Sequence, residues 1–322
     1  MLDLPPPPRY FPLAHGRYDV AVGLRPLGTD FGNGPADRKT FLFDRNFPRY
    51  RQEKLRARAE QLEKYYPPHA ELSGALRNAV TRFLIERLVA EWPAFFRFDA
   101  RRLTCALTGD ELEFSPNWDL TAQRTAVLPT YRDALDALAG NLQEDLAVWA
   151  REPGGPYAEG GPREWLASVH LCFPNHWAAA DKIGRPFNTV HAPVAGFERL
   201  YRAAPNIVDG MVTKAPTVRF AWGLATDDTL NHHPQSDFKG RQFDPQHPQL
   251  FLRIERQTFS PFARENGSLF TIRTIFLDAN DLTPAERQAL IAALDSMSPD
   301  SLRYKGLTTT KSAIMTWLSS TA

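Results

Sequence analysis

Two neighbouring segments, LFLRIERQTF (250–259) and SLFTIRTIFL (268–277), alternate apolar and polar residues and are joined by a turn containing FARENG. This alternation predicts the two strands of an antiparallel hairpin. Aligning their apolar stripes places Arg256 opposite Arg273, because a shift of one residue would turn one stripe away from the other. The pattern therefore predicts both strands and their register, and any fold of this chain must contain them.

Other segments extend this hairpin into a sheet. Further strands are predicted at 144–152, 163–174 and 217–226, with a glycine-rich turn at 154–162 and a crossover of short helical pieces at 178–212. Two strands, a helical crossover and three strands form the order of a PAS-like sheet. We therefore predict an α+β fold: a PAS-like antiparallel five-stranded sheet with a helical crossover and an N-terminal helical extension.

The flanking regions are predicted to be helical. Apolar residues recur at three- and four-residue steps in 70–91, and a charged helix is predicted at 51–65. A third helix at 282–297 has Thr283 as its N-cap and Pro284 at its first position. The predicted organisation is a proline-rich arm at 1–50, a helical N-terminal region packed on the core at 51–140, and a PAS-like core with C-terminal helices at 141–322.

Composition excludes several classes of protein. Among 322 residues, 38 Lys and Arg balance 37 Asp and Glu, so the net charge of +1 gives no sign of nucleic-acid binding. The two cysteines, Cys105 and Cys172, cannot supply the four thiolates of an iron–sulfur cluster. No apolar run of about 18 residues predicts a membrane span, and the N-terminus lacks the pattern of a signal peptide. We expect a cytoplasmic protein without nucleic-acid or membrane partners.

The paired arginines need an anion. Like charges directly opposite each other in a sheet are destabilising, so a negative group is expected near Arg256 and Arg273. Guanidinium groups suit planar carboxylates and phosphates. The anion is either a ligand or a protein acid such as Glu255, and the sequence leaves both open.

One of eight histidines stands out by its context. His191 lies in FNTVHAPVAGF, after a predicted helix end and two residues before Pro193, so its backbone is restrained. This setting fits a metal ligand, and a structural histidine remains the alternative. The chain has no H-E-x-x-H or C-x-x-C pattern, and it lacks the glycine-rich fingerprints of nucleotide sites. An ordinary zinc site or a nicotinamide site is not predicted.

Several blocks together resemble the heme-dependent oxidative N-demethylases, which include heme subunits of bacterial dimethylamine monooxygenases. In the family's order over residues 15–310 they are YDVAVGLRPL (18–27), LQEDLAVW (142–149), LCFPNHWAAADKIGRPFNTVHAPVAGF (171–197), RFAWGL (219–224), LFLRIERQTF (250–259), LFTIRTIFL (269–277) and MSPDSLRYKGL (297–307). The resemblance implies a PAS-like domain that binds heme b and oxidises an N-methylated amine with O2, releasing formaldehyde.

The resemblance also implies roles for individual residues. His191 matches the family's IH-x-P-V-type motif and would be the axial ligand of the heme iron. Arg256 and Arg273 would hold the heme propionates, and Arg256 is also a candidate for contact with substrate or oxygen. Glu255 is a candidate for contact with the protonated amine.

Two further residues are lesser candidates for contacts with the cofactor or the amine. The electrons for the reaction must come from outside this chain. Trp222 would contact the cofactor or offer an aromatic face to the amine, and Asp145 is a further candidate for an amine contact. The resemblance implies electrons from a partner reductase that carries the NADPH, flavin and iron–sulfur centres.

The chain departs from the family at Asn175–His176–Trp177 and in the loop 227–248, which leaves the amine unidentified. Oligomeric state is also open. Two alternatives to an enzyme remain: a PAS-like heme sensor of gases, and a module that binds an organic acid through its arginine pair. The chain shows no output segment of the kind that sensors carry.

Overall fold

The computed structural model describes residues 3–18, 23–153, 163–236 and 242–320. In these residues the strands are β1 (Arg25–Pro26), β2 (Phe96–Asp99), β3 (Arg102–Cys105), β4 (Glu111–Phe114), β5 (Leu120–Arg124), β6 (Asp145–Arg151), β7 (Glu164–His170), β8 (Thr217–Ala225), β9 (Phe251–Phe262) and β10 (Gly267–Asp278). The α-helices are α1 (Phe47–Tyr65), α2 (Gly74–Glu91), α3 (Ala134–Gly140), α4 (Ala179–Lys182), α5 (Phe187–His191), α6 (Phe197–Thr213), α7 (Pro284–Asp295), α8 (Pro299–Tyr304) and α9 (Lys311–Ser320).

The large antiparallel sheet has the strand order β1-β8-β9-β10-β6-β7. The predicted hairpin is confirmed, with Arg256 opposite Arg273 in the register of β9 and β10. The other three predicted strands appear as β6, β7 and β8, and the helices α4, α5 and α6 form the crossover. The predicted turn at 154–162 lies outside the described residues.

The structure differs from the prediction in two respects. The two-residue strand β1 pairs with β8, so the sheet has six strands instead of five. Residues 96–124, expected in a helical region, instead form a second antiparallel sheet of order β2-β3-β4-β5. Its strands are four or five residues long, too short for a clear alternating pattern. The protein is therefore a mixed helix and sheet structure with two antiparallel sheets.

Opposite faces of the large sheet are covered by different parts of the chain. We call the face that carries Arg219, Glu255 and Phe259 the crossover face, because Phe259 packs with residues of α5 and α6. We call the other face, which carries Arg256 and Arg273, the N-terminal face. It is buried by residues of the segments 10–18 and 23–42, by α2, α3 and the second sheet, and by α7 and α9.

Helix ends follow the local sequence. The predicted cap of α7 is confirmed: the Thr283 side chain accepts the Glu286 amide, and the Glu286 side chain bonds back to the Thr283 amide. Within the described ranges, each helix is too short or too polar to cross a bilayer.

Gly267, at the start of β10, offers a test of core packing. A Cβ atom there would lie 2.4 Å from Leu76 Cδ2 and 2.7 Å from the Trp149 carbonyl oxygen. Gly267→Ala is expected to lower the free energy of unfolding by about 1–3 kcal/mol, because this overpacking displaces backbone. Gly74→Ala, where the added atom would meet nothing within 4 Å, is the control and should cause no loss. Equal urea midpoints for the two variants would contradict this prediction.

Candidate functional site

His191 ends α5 with one ring nitrogen committed and the other available. Its Nδ1 lies 2.8 Å from the Phe187 carbonyl oxygen and donates to it, and its ring stacks on Phe187 with centroids 4.0 Å apart. Within the described residues no group hydrogen-bonds Nε2. This contact fixes the tautomer that leaves the Nε2 lone pair free for a metal ion.

The imidazole of His191 is neutral at physiological pH. Burial lowers its pKa to about 4; the Phe187 carbonyl opposes the change, whereas the charges of Arg219 and Lys182 add to it. A neutral imidazole is the form that binds metal ions. His191 therefore has a ring nitrogen without a hydrogen bond to any described residue and the protonation state in which an imidazole can bind a metal ion.

Side chains from neighbouring elements hold α5 in place. The Phe187 amide donates to Glu164 Oε1 at 2.7 Å, and Lys182 Nζ donates to the Val190 carbonyl at 2.9 Å. A helix of five residues is too short to be stable alone. The position of His191 is therefore set by β7 and α4 as much as by α5 itself.

The carboxyl group of Glu164 titrates near neutral pH. Burial raises its pKa to about 7, although the hydrogen bond from the Phe187 amide favours the charged form. Its second oxygen, Oε2, is buried without a partner. The unfolded chain, with an ordinary pKa of 4.5, therefore loses this proton at lower pH than the folded protein does.

This difference makes stability depend on pH. Since the folded state binds more protons between pH 4.5 and 7, stability falls as pH rises through that window, by on the order of 3 kcal/mol. Glu164→Gln keeps the acceptor for Phe187 and should flatten this dependence. The measurement is urea unfolding at pH 5 and pH 8, with the exposed Glu63→Gln as control. An unchanged pH dependence in Glu164→Gln would contradict the assignment.

Polar groups line the crossover face of β8 and β9. Arg219 pairs with Gln257 in the register, and Glu255 lies on the same face two residues along β9. Gln257 Nε2 donates to Glu255 Oε2 at 2.9 Å. Arg219 Nε is buried without a hydrogen-bond partner, and burial lowers the pKa of this guanidinium.

A second cation reaches this face from the C-terminal region. Lys305 Nζ donates to the Trp222 carbonyl at 2.7 Å and lies 3.9 Å from where a Cβ atom on Gly223 would be. Burial lowers the pKa of Lys305, while the charge of Glu255 opposes that change. Glu255, Arg219 and Lys305 thus influence one another electrostatically on the crossover face.

Arg256 and Arg273 face away from His191. Both are buried on the N-terminal face and already have protein partners. Arg256 donates to the carbonyls of Lys39 and Thr40, and Arg273 donates to Asp44 at 2.5 Å and to the Gln143 carbonyl. The anion beside Arg273 is therefore a protein acid, one of the two alternatives left open by the sequence.

The structure therefore corrects the expectation that Arg256, Arg273 and His191 lie in one site. The acid that pairs with Arg273 is Asp44, and the suggested Glu255 lies on the other side of the sheet. The structure does not bring Arg256 and Arg273 together with His191. Alternation along a strand showed that the two arginines share a face, but it could not show which face the crossover covers.

Trp222 also lies on the N-terminal face. Its ring packs edge-on against Tyr18, with centroids 5.8 Å apart. Its backbone carbonyl accepts a hydrogen bond from Lys305. The structure thus gives the Trp222 ring a packing role.

Asp145, His170 and Cys172 form a separate buried group whose metal-ligand atoms lie within 4.8 Å of one another. The Asp145 carboxylate already accepts the amides of Cys172 and Phe173 at 2.8 and 2.9 Å. His170 Nε2 lies 3.4 Å from an Asp136 oxygen. Protein hydrogen bonds thus account for this group, and Asp145 belongs to it.

Three candidate site residues were not predicted from the sequence: Glu164, Arg219 and Lys305. Arg219 and Lys305 both lie in blocks that carried the resemblance, RFAWGL and MSPDSLRYKGL. Period-two alternation in β8 and β9 would have put Arg219 on the same face as Glu255 once the strands were paired. No local pattern indicates that Lys305 reaches this face, since it depends on the path of the C-terminal segment.

Comparison with known families gives one match. The family model described as haem-dependent oxidative N-demethylase, alpha subunit-like, matches residues 35–315. No curated protein matches the chain. The matched range includes His191, Glu255, Arg219 and Lys305.

Proposed function

The chain belongs to the family of haem-dependent oxidative N-demethylases, alpha subunit-like, and on that premise we propose that it is the heme-carrying component of an amine oxygenase. The observation that carries this proposal is His191, whose Nδ1 is held by the Phe187 carbonyl while Nε2 is free and the ring is neutral. The heme b iron would bind to Nε2 on the crossover face of the sheet. The unpartnered guanidinium of Arg219 nearby fits a group that carries carboxylates.

The protein's own groups would position the reactants. When bound, the heme supplies oxidation of the N-methyl carbon by O2 and electrons, and this carbon leaves as formaldehyde. Phe187 keeps the proton on His191 Nδ1, and Glu164 anchors the helix that carries the imidazole. Glu255, oriented by Gln257, would accept a hydrogen bond from the protonated amine.

This assignment changes the roles expected of the arginines. Glu255 remains the candidate for contact with the amine, since it shares the crossover face with Arg219. Arg256 is not proposed as a catalytic residue and Arg273 is not proposed as a propionate ligand, because both lie on the N-terminal face, where backbone carbonyls bind Arg256 and Asp44 pairs with Arg273.

Several finer features belong to the same proposal. The two strands, helical crossover and three strands support a PAS-like core within the six-stranded sheet. The family description, alpha subunit-like, supports a multi-subunit oxygenase. We propose a partner reductase carrying NADPH, flavin and iron–sulfur centres, a cytoplasmic location, and a small N-methylated amine such as dimethylamine as substrate.

The test is an absorption spectrum of the purified protein, oxidised and then reduced with dithionite, with and without carbon monoxide. We expect a Soret band that shifts on reduction and again with carbon monoxide. Turnover of N-methylated amines with a surrogate reductase should then release formaldehyde. A featureless visible spectrum after hemin titration would overturn the heme assignment, and gas binding without turnover of any amine would favour a sensor.

A further inference from the structure

Among the residues that the structure describes, two cations on the crossover face, Arg219 and Lys305, have neither an anionic partner nor the set of four backbone carbonyls that binds Arg253 of the same face. Within the described residues the Arg219 guanidinium makes no hydrogen bond or ion pair, and its Nε is buried. Lys305 Nζ has one hydrogen bond, to the neutral Trp222 carbonyl. Both side chains are half-buried, and a charge that is partly removed from water without an anionic partner favours the binding of an anion there.

Glu255 does not supply that anion. It is the acid that acts electrostatically on both cations, yet it forms no ion pair in the described parts of the chain and its hydrogen bond is to Gln257. One carboxylate would also leave one of the two positive charges uncompensated. The arginines of the other face differ from Arg219, because Arg273 pairs with Asp44 and Arg256 donates to two backbone carbonyls, whereas Arg219 has no hydrogen bond in the described residues.

The two cations and His191 lie on the same side of the sheet. Arg219 and Gly223 have their side-chain positions on the crossover face of β8, and Lys305 Nζ lies over Gly223. The helices α5 and α6 cover this face, where Phe187 of α5 and Val208 of α6 belong to one cluster with Phe259 of β9. An anionic ligand bound at the cations would therefore lie between the sheet and the helix that carries His191.

We propose that Arg219 and Lys305 form the carboxylate-binding part of the heme site, each binding one propionate. Two cations match the two carboxylates of heme b, and a guanidinium binds a carboxylate through two parallel hydrogen bonds. The inference rests on the proposed function, since it requires heme at His191. Arg219 and Lys305 thereby take the role of propionate ligands that the resemblance implied for Arg256 and Arg273, because they lie on the crossover face.

Esterified heme tests the contact directly, because hemin dimethyl ester keeps the iron and the ring but has no carboxylate charge. The measurement is the rate of transfer of each cofactor from the protein to apomyoglobin. Wild type should lose the ester at least about tenfold faster than hemin. In the double variant Arg219→Gln/Lys305→Gln, hemin should be lost as fast as the ester, so that the difference between the two cofactors disappears.

Two further variants control for folding and for charge. Arg219→Lys keeps the positive charge and should keep part of the preference for hemin. Arg202→Gln removes an exposed cation of α6 and should behave as wild type. Thermal unfolding of each variant shows whether it folds.

The remaining outcomes separate the hypotheses. An equal preference for hemin in wild type and the double variant would overturn the inference while leaving heme binding intact. A raised KM for the amine with unchanged heme loss would also overturn it, because the cations would then bind substrate. If wild type binds neither hemin nor its ester, the proposed function fails as well, with no Soret band in any sample.

Discussion

His191→Gly is expected to lower heme retention by more than about 100-fold. Added imidazole is expected to restore the Soret spectrum of a five- or six-coordinate heme. The physical reason is that Nε2 of His191 offers the lone pair for iron, whereas Phe187 holds its Nδ1 proton. The small glycine leaves room for free imidazole to enter beside Phe187. The measurement is hemin transfer to apomyoglobin together with the Soret spectrum, with and without imidazole.

The matched control removes a histidine that the structure places in solvent. His247 is 85% exposed in its side chain and pairs with Asp244 at 3.1 Å, so His247→Gly should keep heme as wild type does. Full heme retention in His191→Gly would contradict the axial assignment. Loss without imidazole rescue, in a variant that unfolds at lower temperature, would show a structural role for this histidine.

Asp44→Ala should destabilise the fold by about 3–5 kcal/mol. Asp44 is fully buried and pairs with Arg273, whose guanidinium also stacks on Tyr50 at 3.9 Å. Removing the carboxylate leaves a buried guanidinium without its anion, and such a change costs far more than the pair itself contributes. The free energy of unfolding from urea titration measures this loss.

An exposed pair gives the comparison. Arg303 and Asp300 form an ion pair with side chains 67% and 71% exposed, so Asp300→Ala should change stability by less than about 1 kcal/mol. Asp44→Asn keeps oxygen acceptors for the neighbouring amides and should fall between Asp44→Ala and wild type. A loss below 1 kcal/mol in Asp44→Ala would mean that water reaches Arg273 and that its site is open to a ligand.

The main strands of the large sheet were predictable because the pattern that indicates each strand lies within that strand. Alternation with period two is visible within β9 and β10 separately, and matching their apolar stripes determines their register. The second sheet carries no such signal. Its strands, such as Arg102–Cys105 and Glu111–Phe114, have only two inward-facing residues each, and the register pairs just one inward-facing residue of each, Leu103 with Leu112.

The site differs from the sheet for a related reason. The sequence singled out His191 from its own neighbours, because a helix end and Pro193 restrain it, and its role as a metal ligand stays a prediction. The role of Arg256 and Arg273 depended on which layer covers their face, and layer packing is a long-range property. Their burial against residues 39–44 could not be inferred from β9 and β10 alone.

Lys305 joins the crossover face from a distant part of the sequence. It follows His191 by 114 positions (305 − 191), and the strands β8, β9 and β10 lie between them. At a synthesis rate of about 5–20 residues per second, Lys305 leaves the ribosome roughly 6–23 s after His191. The nascent chain therefore presents the imidazole well before Lys305 reaches this face. If heme binds as we propose, we expect tight cofactor loading to be a late event in the biogenesis of the protein.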